Sequence, residues 1–190
     1  MRPVHPIERE SYRRLRAAVD LSGLPPLSRA VAERVIHASG DLGYAEDLVL
    51  DEAALRQGLA ALRAGAPVVV DTRMVAAGIP GLATICGLDL APLVQAEETR
   101  SAAGIRAAAA RAGPGAVYVV GCAPTALEAL LGLDARPALV VGLPVGFVGA
   151  VEAKQALRAS GLPAASNRSP RGGAAVAAAA LNALRYREGQ

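Results

Sequence analysis

Four short apolar runs constrain the fold more than any other feature of the sequence; they occupy residues 67–71, 82–86, 116–120 and 138–142. Hydrophobicity that is continuous rather than alternating predicts strands covered on both faces, as in a parallel sheet. Helical patterns lie between and after these runs, at residues 100–112, 125–131, 149–160 and 172–186. The alternation predicts an α/β domain in three α/β/α layers around a doubly wound sheet.

The first third of the chain carries helical patterns instead. Residues 7–21 are amphipathic and lead into a segment rich in glycine and proline. Further helices are predicted at residues 27–38 and 52–64, each followed by a glycine that can end it, Gly40 and Gly65. A length of 190 residues fits a single domain. We divide it into an N-terminal helical part, residues 1–65, and an α/β part, residues 66–190.

The composition excludes a disordered chain and a membrane-spanning one. Hydrophobic residues make up 53% of the sequence, enough to bury a core that offsets the conformational entropy of folding. The longest uncharged run, residues 112–127, is interrupted by glycine and proline and is shorter than the roughly 18 apolar residues of a spanning helix. The charged N-terminal segment lacks the apolar stretch of a signal peptide. We therefore expect a soluble, cytoplasmic protein.

Nucleic-acid binding and metal binding find no support in the sequence. The net charge is +3, but the arginines at 13–16 stand beside acidic residues, and only 3% of residues are aromatic. Nucleic-acid sites combine basic clusters with stacking aromatics. The two cysteines, Cys86 and Cys122, and the two histidines, His5 and His37, lack the spacing of metal ligands. We expect the cysteines to be small buried side chains in a reducing compartment.

His37 is the first candidate for chemistry. It falls off the apolar stripe of the helix predicted at 27–38 and lies in the last turn, where the helix dipole favours a protonated imidazole. A histidine that is partly protonated near neutral pH is a natural proton donor. From the residues alone, the alternative is a solvated helix-end histidine without a catalytic role.

Arg100 and Arg171 are candidates for binding anions. Each is predicted to open a helix, where the dipole is already positive, so its placement is unfavourable unless an anion lies nearby. Two such arginines indicate a ligand that carries several carboxylates or phosphates. For Arg100 the alternative is an ion pair with Glu97 or Glu98.

The carboxyl ends of the predicted strands are the expected place for a ligand in such a sheet. These ends lie at residues 71–73, 121–125 and 142–146. The glycine-rich turn at 142–149 would let the backbone approach a ligand closely, yet it matches neither a dinucleotide-binding nor a P-loop pattern. Tight-turn packing alone would also explain the glycines of both turns.

Seven motifs follow one another along the chain: Ile7-Glu8-Arg9-Glu10-Ser11-Tyr12, Arg34-Val35-Ile36-His37, Asp71-Thr72-Arg73-Met74, Thr99-Arg100-Ser101-Ala102, Ala123-Pro124-Thr125-Ala126-Leu127, Pro144-Val145-Gly146-Phe147-Val148-Gly149 and Arg171-Gly172-Gly173. In this order, and over almost the whole chain, they resemble the precorrin-8X methylmutase (precorrin isomerase) family of cobalamin biosynthesis. The second and sixth motifs are the most specific to that family.

The resemblance implies a cofactor-free isomerase with a flavodoxin-like fold, in a homodimer whose sites lie at or near the subunit interface. It would move a methyl group from C11 to C12 of precorrin-8X or cobalt-precorrin-8, giving hydrogenobyrinate or cobyrinate. In the family, the histidine matching His37 is the general acid that protonates a ring nitrogen, and Ser11 and Arg100 match substrate-contacting positions. The remaining substrate contacts that we expect, taken from matching motifs, are Thr72, Ser101, Thr125, Gly146 and Arg171.

The sequence also departs from the family pattern around the expected site. Cys122 stands where the family usually has asparagine, and the residue before Lys154 is alanine instead of serine. Ser169 and Pro170 replace a common Gly-Arg pair, which Arg168 or Arg171 would compensate. Ala174 replaces a serine, and the stretch 78–87 is short. Because none of these changes affects His37, we expect altered peripheral contacts and retained activity.

Two other functions are compatible with parts of the sequence. A non-catalytic corrinoid carrier would bind the same carboxylate-rich ligand without converting it. A flavodoxin-like nucleotide or flavin binder would use the turn at 142–149 for a phosphate, although the scarcity of aromatic residues counts against flavin. Replacement of His37 separates the enzyme from the carrier, since only the enzyme would lose turnover while keeping product binding.

Overall fold

A six-stranded sheet forms the centre of the protein in a computed structural model that describes residues 5–92 and 98–186. The spatial order of its strands is β1-β6-β5-β4-β2-β3. The strands are β1 Leu48–Leu50, β2 Val68–Val70, β3 Thr84–Cys86, β4 Val117–Val120, β5 Leu139–Gly142 and β6 Ala164–Asn167. Strands β2 to β6 are parallel, and read from β3 they follow the flavodoxin order 2-1-3-4-5. The expected flavodoxin-like fold is confirmed.

Helices cover both faces of this sheet. The helices of the described residues are α1 Pro6–Ala18, α2 Pro26–Ser39, α3 Tyr44–Asp47, α4 Glu52–Arg63, α5 Arg73–Ala77, α6 Gly87–Leu90, α7 Arg100–Ala112, α8 Pro124–Leu131, α9 Ala150–Ala159 and α10 Ala174–Arg185. One core contains buried residues of α2, α4 and α10, and the other contains residues of α7, α8 and α9. No helix in the described part of the chain has the length and apolar character needed to cross a membrane.

Side chains alternate along each strand, so that successive residues of a strand belong to different cores. Val68 and Val70 of β2 face the core that contains α2, α4 and α10, whereas Val69 faces the core that contains α7 to α9. Strand β4 divides in the same way, with Val119 on the first side and Tyr118 on the second. Because both of their faces are covered, β2 and β4 are hydrophobic at every position, as the sequence indicated.

Strands β1 and β6 were not predicted. Strand β6 includes the polar residues Ser166 and Asn167, so it lacks the continuous apolar run that identified the other strands. Strand β1 has only three residues and pairs antiparallel with β6, Leu48 opposite Asn167, as the edge strand of the sheet. The N-terminal part that we described as helical therefore contributes one strand as well.

The predicted helices are present, with small shifts at their ends. Helix α1 ends at Ala18 and not at residue 21, because Val19 is extended with φ −144° and ψ 134°. Helix α2 ends at Ser39, and the next residue, Gly40, has a φ of +68° in the left-handed region that glycine adopts readily. Helix α10 begins at Ala174, so Arg171 lies in the loop before the helix and does not open it.

Candidate active site at the carboxyl edge of the sheet

The packing of α1 on α2 places the exposed imidazole of His37 against two neighbouring side chains of α1. His37 lies in the last turn of α2, and its Nδ1 atom is 2.8 Å from the hydroxyl oxygen of Ser11. The ring of Tyr12 stacks on the imidazole, with centroids 4.7 Å apart and an angle of 11° between the planes. These two contacts fix the edge and one face of the ring, and leave Nε2 available to a ligand.

A buried carboxylate holds α1 against α2 beside this imidazole. Glu33 of α2 accepts two hydrogen bonds from the guanidinium of Arg16 on α1, at 2.9 and 2.7 Å, and a third from Arg29 at 3.2 Å. The hydrogen bond from Arg16 is the main reason why the pKa of Glu33 is lowered. Tyr12 and Leu15 are buried on the same side of α1. The position of Ser11 relative to His37 therefore depends on this interface between the two helices.

Asp71, directly after β2, joins the ends of two strands. Its side chain is fully buried and accepts backbone N–H groups from Gly121, Cys122 and Ala123, at 3.2, 2.7 and 2.9 Å. Burial raises the pKa of this carboxyl group, against the effect of the three hydrogen bonds. Asp71 thereby fixes the backbone from which α8 begins. The sequence drew attention to this strand end, but it did not predict the hydrogen bonds of the carboxyl group.

Thr72 and Cys122 lie side by side at the same strand ends. Their hydroxyl oxygen and sulfur are 3.2 Å apart, and Thr72 also caps α5 through the N–H of Val75. Burial raises the pKa of the Cys122 thiol. Cys122 is half-buried and Cys86 is buried, and both are free cysteines. The thiol that replaces the family's asparagine therefore belongs to the candidate site.

A second pair of hydroxyls lies at the beginnings of α7 and α8. Thr99 caps α7 through the N–H of Ala102, and its hydroxyl is 2.8 Å from that of Thr125. Arg100 is the first residue of α7, as predicted. It is exposed, and Ser101 beside it is half-buried. Arg106, and not Arg100, forms the ion pair with Glu98, at 3.1 Å. The other alternative partner, residue 97, lies outside the described residues.

The remaining predicted residues lie in two loops that contact each other. The N–H of Gly146, in the loop after β5, donates to the carbonyl of Pro170 at 3.1 Å. Next to Pro170, the guanidinium of Arg171 lies 3.4 Å from Asp41, in the turn that follows α2. Gly172 has a φ of +156°, and a Cβ atom there would lie 2.2 Å from the carbonyl oxygen of Leu143. A glycine is therefore required where the two loops meet.

The predicted site residues thus form four local groups at one edge of the sheet, centred on His37, on Thr72, on Thr125 and on the loop of Arg171. Among the described residues, no direct hydrogen bond joins the group of His37 and Ser11 to the group of Thr99 and Thr125. Arg171 approaches the end of α2 through Asp41, whose role the sequence did not indicate because exposed ion pairs leave no pattern. Within residues 5–92 and 98–186, no cluster of three His, Cys, Asp or Glu side chains could hold a metal ion.

The fold and the site define a class of protein. It is an α/β protein with flavodoxin strand order and a histidine–serine pair at the carboxyl edge of the sheet, where arginines and backbone N–H groups suit an anionic ligand. Such an arrangement can donate a proton to a ligand and hold its carboxylates.

Comparison with known proteins identifies the family. Residues 6–187 match the family model described as CbiC, precorrin-8X methylmutase. The chain is 43% identical to the precorrin-8X methylmutase of Pseudomonas aeruginosa, over 94% of this chain and 93% of that protein. It is 36% identical to the cobalt-precorrin-8 methylmutase of Synechocystis, over 97% and 98% of the two chains.

A solved structure agrees with this result. The precorrin-8X methylmutase of Thermus thermophilus superimposes with a TM-score of 0.83 at 36% identity, covering 95% of this chain and 96% of that one. The chain therefore belongs to the precorrin-8X methylmutase family and is an isomerase of cobalamin biosynthesis.

Proposed function

We propose that this enzyme moves a methyl group from C11 to C12 of precorrin-8X, or of cobalt-precorrin-8, with His37 as the general acid. The products are hydrogenobyrinate and cobyrinate, respectively. The observation that carries the proposal is the contact between Ser11 and Nδ1 of His37, which orients an otherwise exposed imidazole. The names of the relatives supply the substrate, and the site supplies a proton donor for it.

The contact with Ser11 assigns a separate role to each nitrogen of the imidazole. In the protonated ring both nitrogens carry a proton, and Nδ1–H donates to the hydroxyl oxygen of Ser11. When Nε2 gives its proton to a ring nitrogen of the substrate, Nδ1–H and its hydrogen bond are unchanged. Ser11 therefore supports the neutral tautomer that the transfer produces, and the imidazole does not need to rotate.

Proton donation is the only chemical help that the reaction requires from the protein. The bond between C11 and the methyl carbon breaks while the bond between C12 and that carbon forms. Protonation of a ring nitrogen draws electron density from the conjugated system and promotes this shift. Because an isomerisation leaves the composition unchanged, His37 takes the proton back when the product forms.

The arginines of the site suit the periphery of this substrate. The tetrapyrrole carries acetate and propionate groups, and Arg100 and Arg171 lie at the edge of the sheet where such groups would be bound. We assign substrate contacts to Ser11, Thr72, Arg100, Ser101, Thr125, Gly146 and Arg171. Helix α7 offers its N-terminal N–H groups beside Arg100, and these also favour an anion.

We further infer that the enzyme functions as a homodimer. Phe147 and Val148, in the loop after β5, are 100% and 88% exposed. Neighbouring large apolar side chains that are so exposed are typical of a surface that another protein covers. Since this loop includes Gly146, the second subunit would lie close to the bound substrate.

The test is a visible absorption spectrum recorded over time with purified enzyme and metal-free precorrin-8X. We expect the wild-type protein to convert the spectrum to that of the corrin product, and His37→Ala to bind hydrogenobyrinate without converting precorrin-8X. His5→Ala, at the only other histidine, is the matched control and should retain turnover.

Two outcomes would contradict the proposal. Conversion by His37→Ala at the wild-type rate would remove the general-acid role. Binding of both precorrin-8X and cobalt-precorrin-8 without any conversion by the wild-type protein would instead favour the corrinoid carrier.

A further inference from the structure

The only lysine of the sequence is fully buried, and its ammonium group donates all three hydrogen bonds to one loop and to the strand before it. Lys154 lies on α9, and its side-chain nitrogen donates to Asn167 Oδ1 at 3.0 Å, to the carbonyl of Arg171 at 2.8 Å and to the carbonyl of Ser169. An ammonium group has three donors, so each one is satisfied. Two of the three acceptors are main-chain atoms of the segment 168–173, which we call the arginine loop because it carries Arg171.

A buried carboxylate holds the same loop from the other side. Asp47, at the end of α3, accepts the side-chain N–H of Asn167 at 2.7 Å. It also accepts the hydroxyl of Ser169 at 2.7 Å and the backbone N–H groups of Ser169 and Arg168 at 2.8 and 3.0 Å. The amide of Asn167 thus bridges Lys154 and Asp47, so two buried charges of opposite sign are joined through one side chain.

The titration of both charged groups reflects this environment. Burial lowers the pKa of Lys154 to about 8, with the neighbouring Asp47 acting against that effect. Burial acts to raise the pKa of Asp47, but the hydrogen bonds from Asn167 and Ser169 outweigh it, and the pKa is lowered. The ammonium and the carboxylate are therefore both ionised at neutral pH.

The loop held in this way contacts two other parts of the candidate site. Its Pro170 carbonyl accepts the N–H of Gly146, and the N–H of Gly173 donates to the carbonyl of Leu143 at 2.9 Å. Its Arg171 guanidinium reaches Asp41, in the turn after the helix of His37. A shift of the arginine loop would displace the loop after β5 together with a candidate cation for the substrate.

A network of buried charged side chains is an unusual way to fill the space between α9 and the arginine loop. Removing an ammonium and a carboxylate from water is unfavourable, and apolar side chains of similar size often give equal or greater stability. The gain here is geometric, because the hydrogen bonds fix the direction of main-chain carbonyls next to Gly172 and Gly173, whose φ angles are +156° and +121°.

We propose that Lys154 is a positioning residue for the substrate: acting with Asn167 and Asp47, it sets the arginine loop as one wall of the binding pocket. The assignment of a substrate to this wall rests on the proposed function, whereas the control of the loop by Lys154 does not. Lys154 itself has no contact with the substrate in this arrangement, since its donors are all occupied.

The experiment compares Lys154→Met with the wild-type enzyme in two measurements. For precorrin-8X we expect KM to rise about 10- to 100-fold, which corresponds to the loss of one charge-assisted hydrogen bond. We expect kcat to be unchanged, because His37 is not displaced. By amide hydrogen exchange we expect the N–H groups of Gly146 and Gly173 to exchange faster. Gln155→Met, at the next and exposed position of α9, is the matched control and should change neither quantity.

A milder variant keeps the test decisive where Lys154→Met fails to fold. Ser169→Ala removes the hydroxyl that donates to Asp47 and accepts the backbone N–H of Arg171, and we expect the same two changes at smaller size. A folded Lys154→Met with wild-type KM and wild-type exchange would overturn the proposal, and so would a loss confined to kcat. A wild-type protein that converts no precorrin-8X would refute the proposed function, and the exchange measurement would still decide whether Lys154 sets the loop.

Discussion

The hydroxyl of Ser11 lies 2.8 Å from Nδ1 of His37, although 26 residues separate the two in sequence. Only the packing of α1 on α2 brings them together, and the same packing stacks Tyr12 on the imidazole. The proposed acid is thus held by residues of a different helix. Its function depends on the stability of that interface as much as on the histidine itself.

Ser11→Ala should lower kcat and leave the fold intact. Loss of a net hydrogen bond of about 0.5–1.5 kcal/mol leaves the imidazole less well oriented, which corresponds to about a 3- to 10-fold decrease in kcat. Steady-state conversion of precorrin-8X measures the effect. Ser22→Ala, at an exposed turn position after α1, should behave as the wild type. A Ser11→Ala enzyme with normal kcat would show that Ser11 does not orient His37.

The contact between Glu33 and Arg16 should make stability depend on pH in the acid range. The pKa of Glu33 in the folded state is lowered from 4.5, so its carboxylate contributes fully to stability above that value. That contribution is lost as the pH falls through the lowered pKa. We expect Glu33→Gln to reduce the free energy of unfolding by about 1–2 kcal/mol at pH 7. The difference from the wild type should shrink as the pH falls below 4.5.

Urea unfolding of both proteins at several pH values measures this difference. Glu10→Gln is the matched control, because the partners of Glu10 among the described residues are Arg13 and Arg14 of its own helix, at the surface. It should leave stability nearly unchanged, since such surface pairs contribute little. A difference between the wild type and Glu33→Gln that stays constant down to pH 3 would contradict the assigned role of the Glu33 carboxylate.

Two arginines at opposite ends of α7 offer a test of substrate binding. Arg100 opens the helix, where its charge opposes the helix dipole, and Arg111 lies in the last turn, where its charge is favourable. Arg100→Gln should raise stability by about 0.3–1 kcal/mol while raising KM about tenfold or more. Arg111→Gln should lower stability by about 0.3–1 kcal/mol without changing KM. Equal KM values for the two variants would remove Arg100 from the substrate site.

The exposed apolar loop predicts the oligomeric state. We expect sedimentation equilibrium to show a dimer of the 19.2-kDa chain, and Phe147→Ser to shift it towards the monomer, because the ring would lose its apolar partner surface. The control is Ile7→Ser, which replaces a side chain that is 74% exposed on α1. It distinguishes an effect of the loop after β5 from an effect of exposed apolar side chains elsewhere on the surface. A wild-type protein that sediments as a monomer would contradict the homodimer.

Much of the architecture could be predicted from local patterns. Helix α7 begins at Arg100 and ends at Ala112, as predicted, because Thr99 and Gly113 mark its ends in the sequence. The strands from β2 to β5 appear where continuous apolar runs required coverage on both faces. The strands β1 and β6 escaped prediction because one is very short and the other carries buried polar side chains, which only their tertiary partners satisfy.

The candidate site was predictable in its residues but not in their contacts. The position of His37 in the last turn of a helix was visible in the sequence, and the resemblance of the surrounding motifs suggested its role. Its contact with Ser11, the partnership of Arg171 with Asp41 and the three backbone N–H groups on Asp71 were not visible. Each of these joins segments that are distant along the chain and depends on how helices and loops pack.

The sequence by itself thus determined the layers of the fold and the chemical groups available to the site, because both follow from local periodicity and residue type. Only the tertiary structure decided which groups meet: Ser11 with His37, and Lys154 with the carbonyl groups of the arginine loop. The physical reason is that hydrogen bonds act over about 3 Å. The local sequence around one partner does not indicate the other, because the packing of distant segments sets the distance between the two groups.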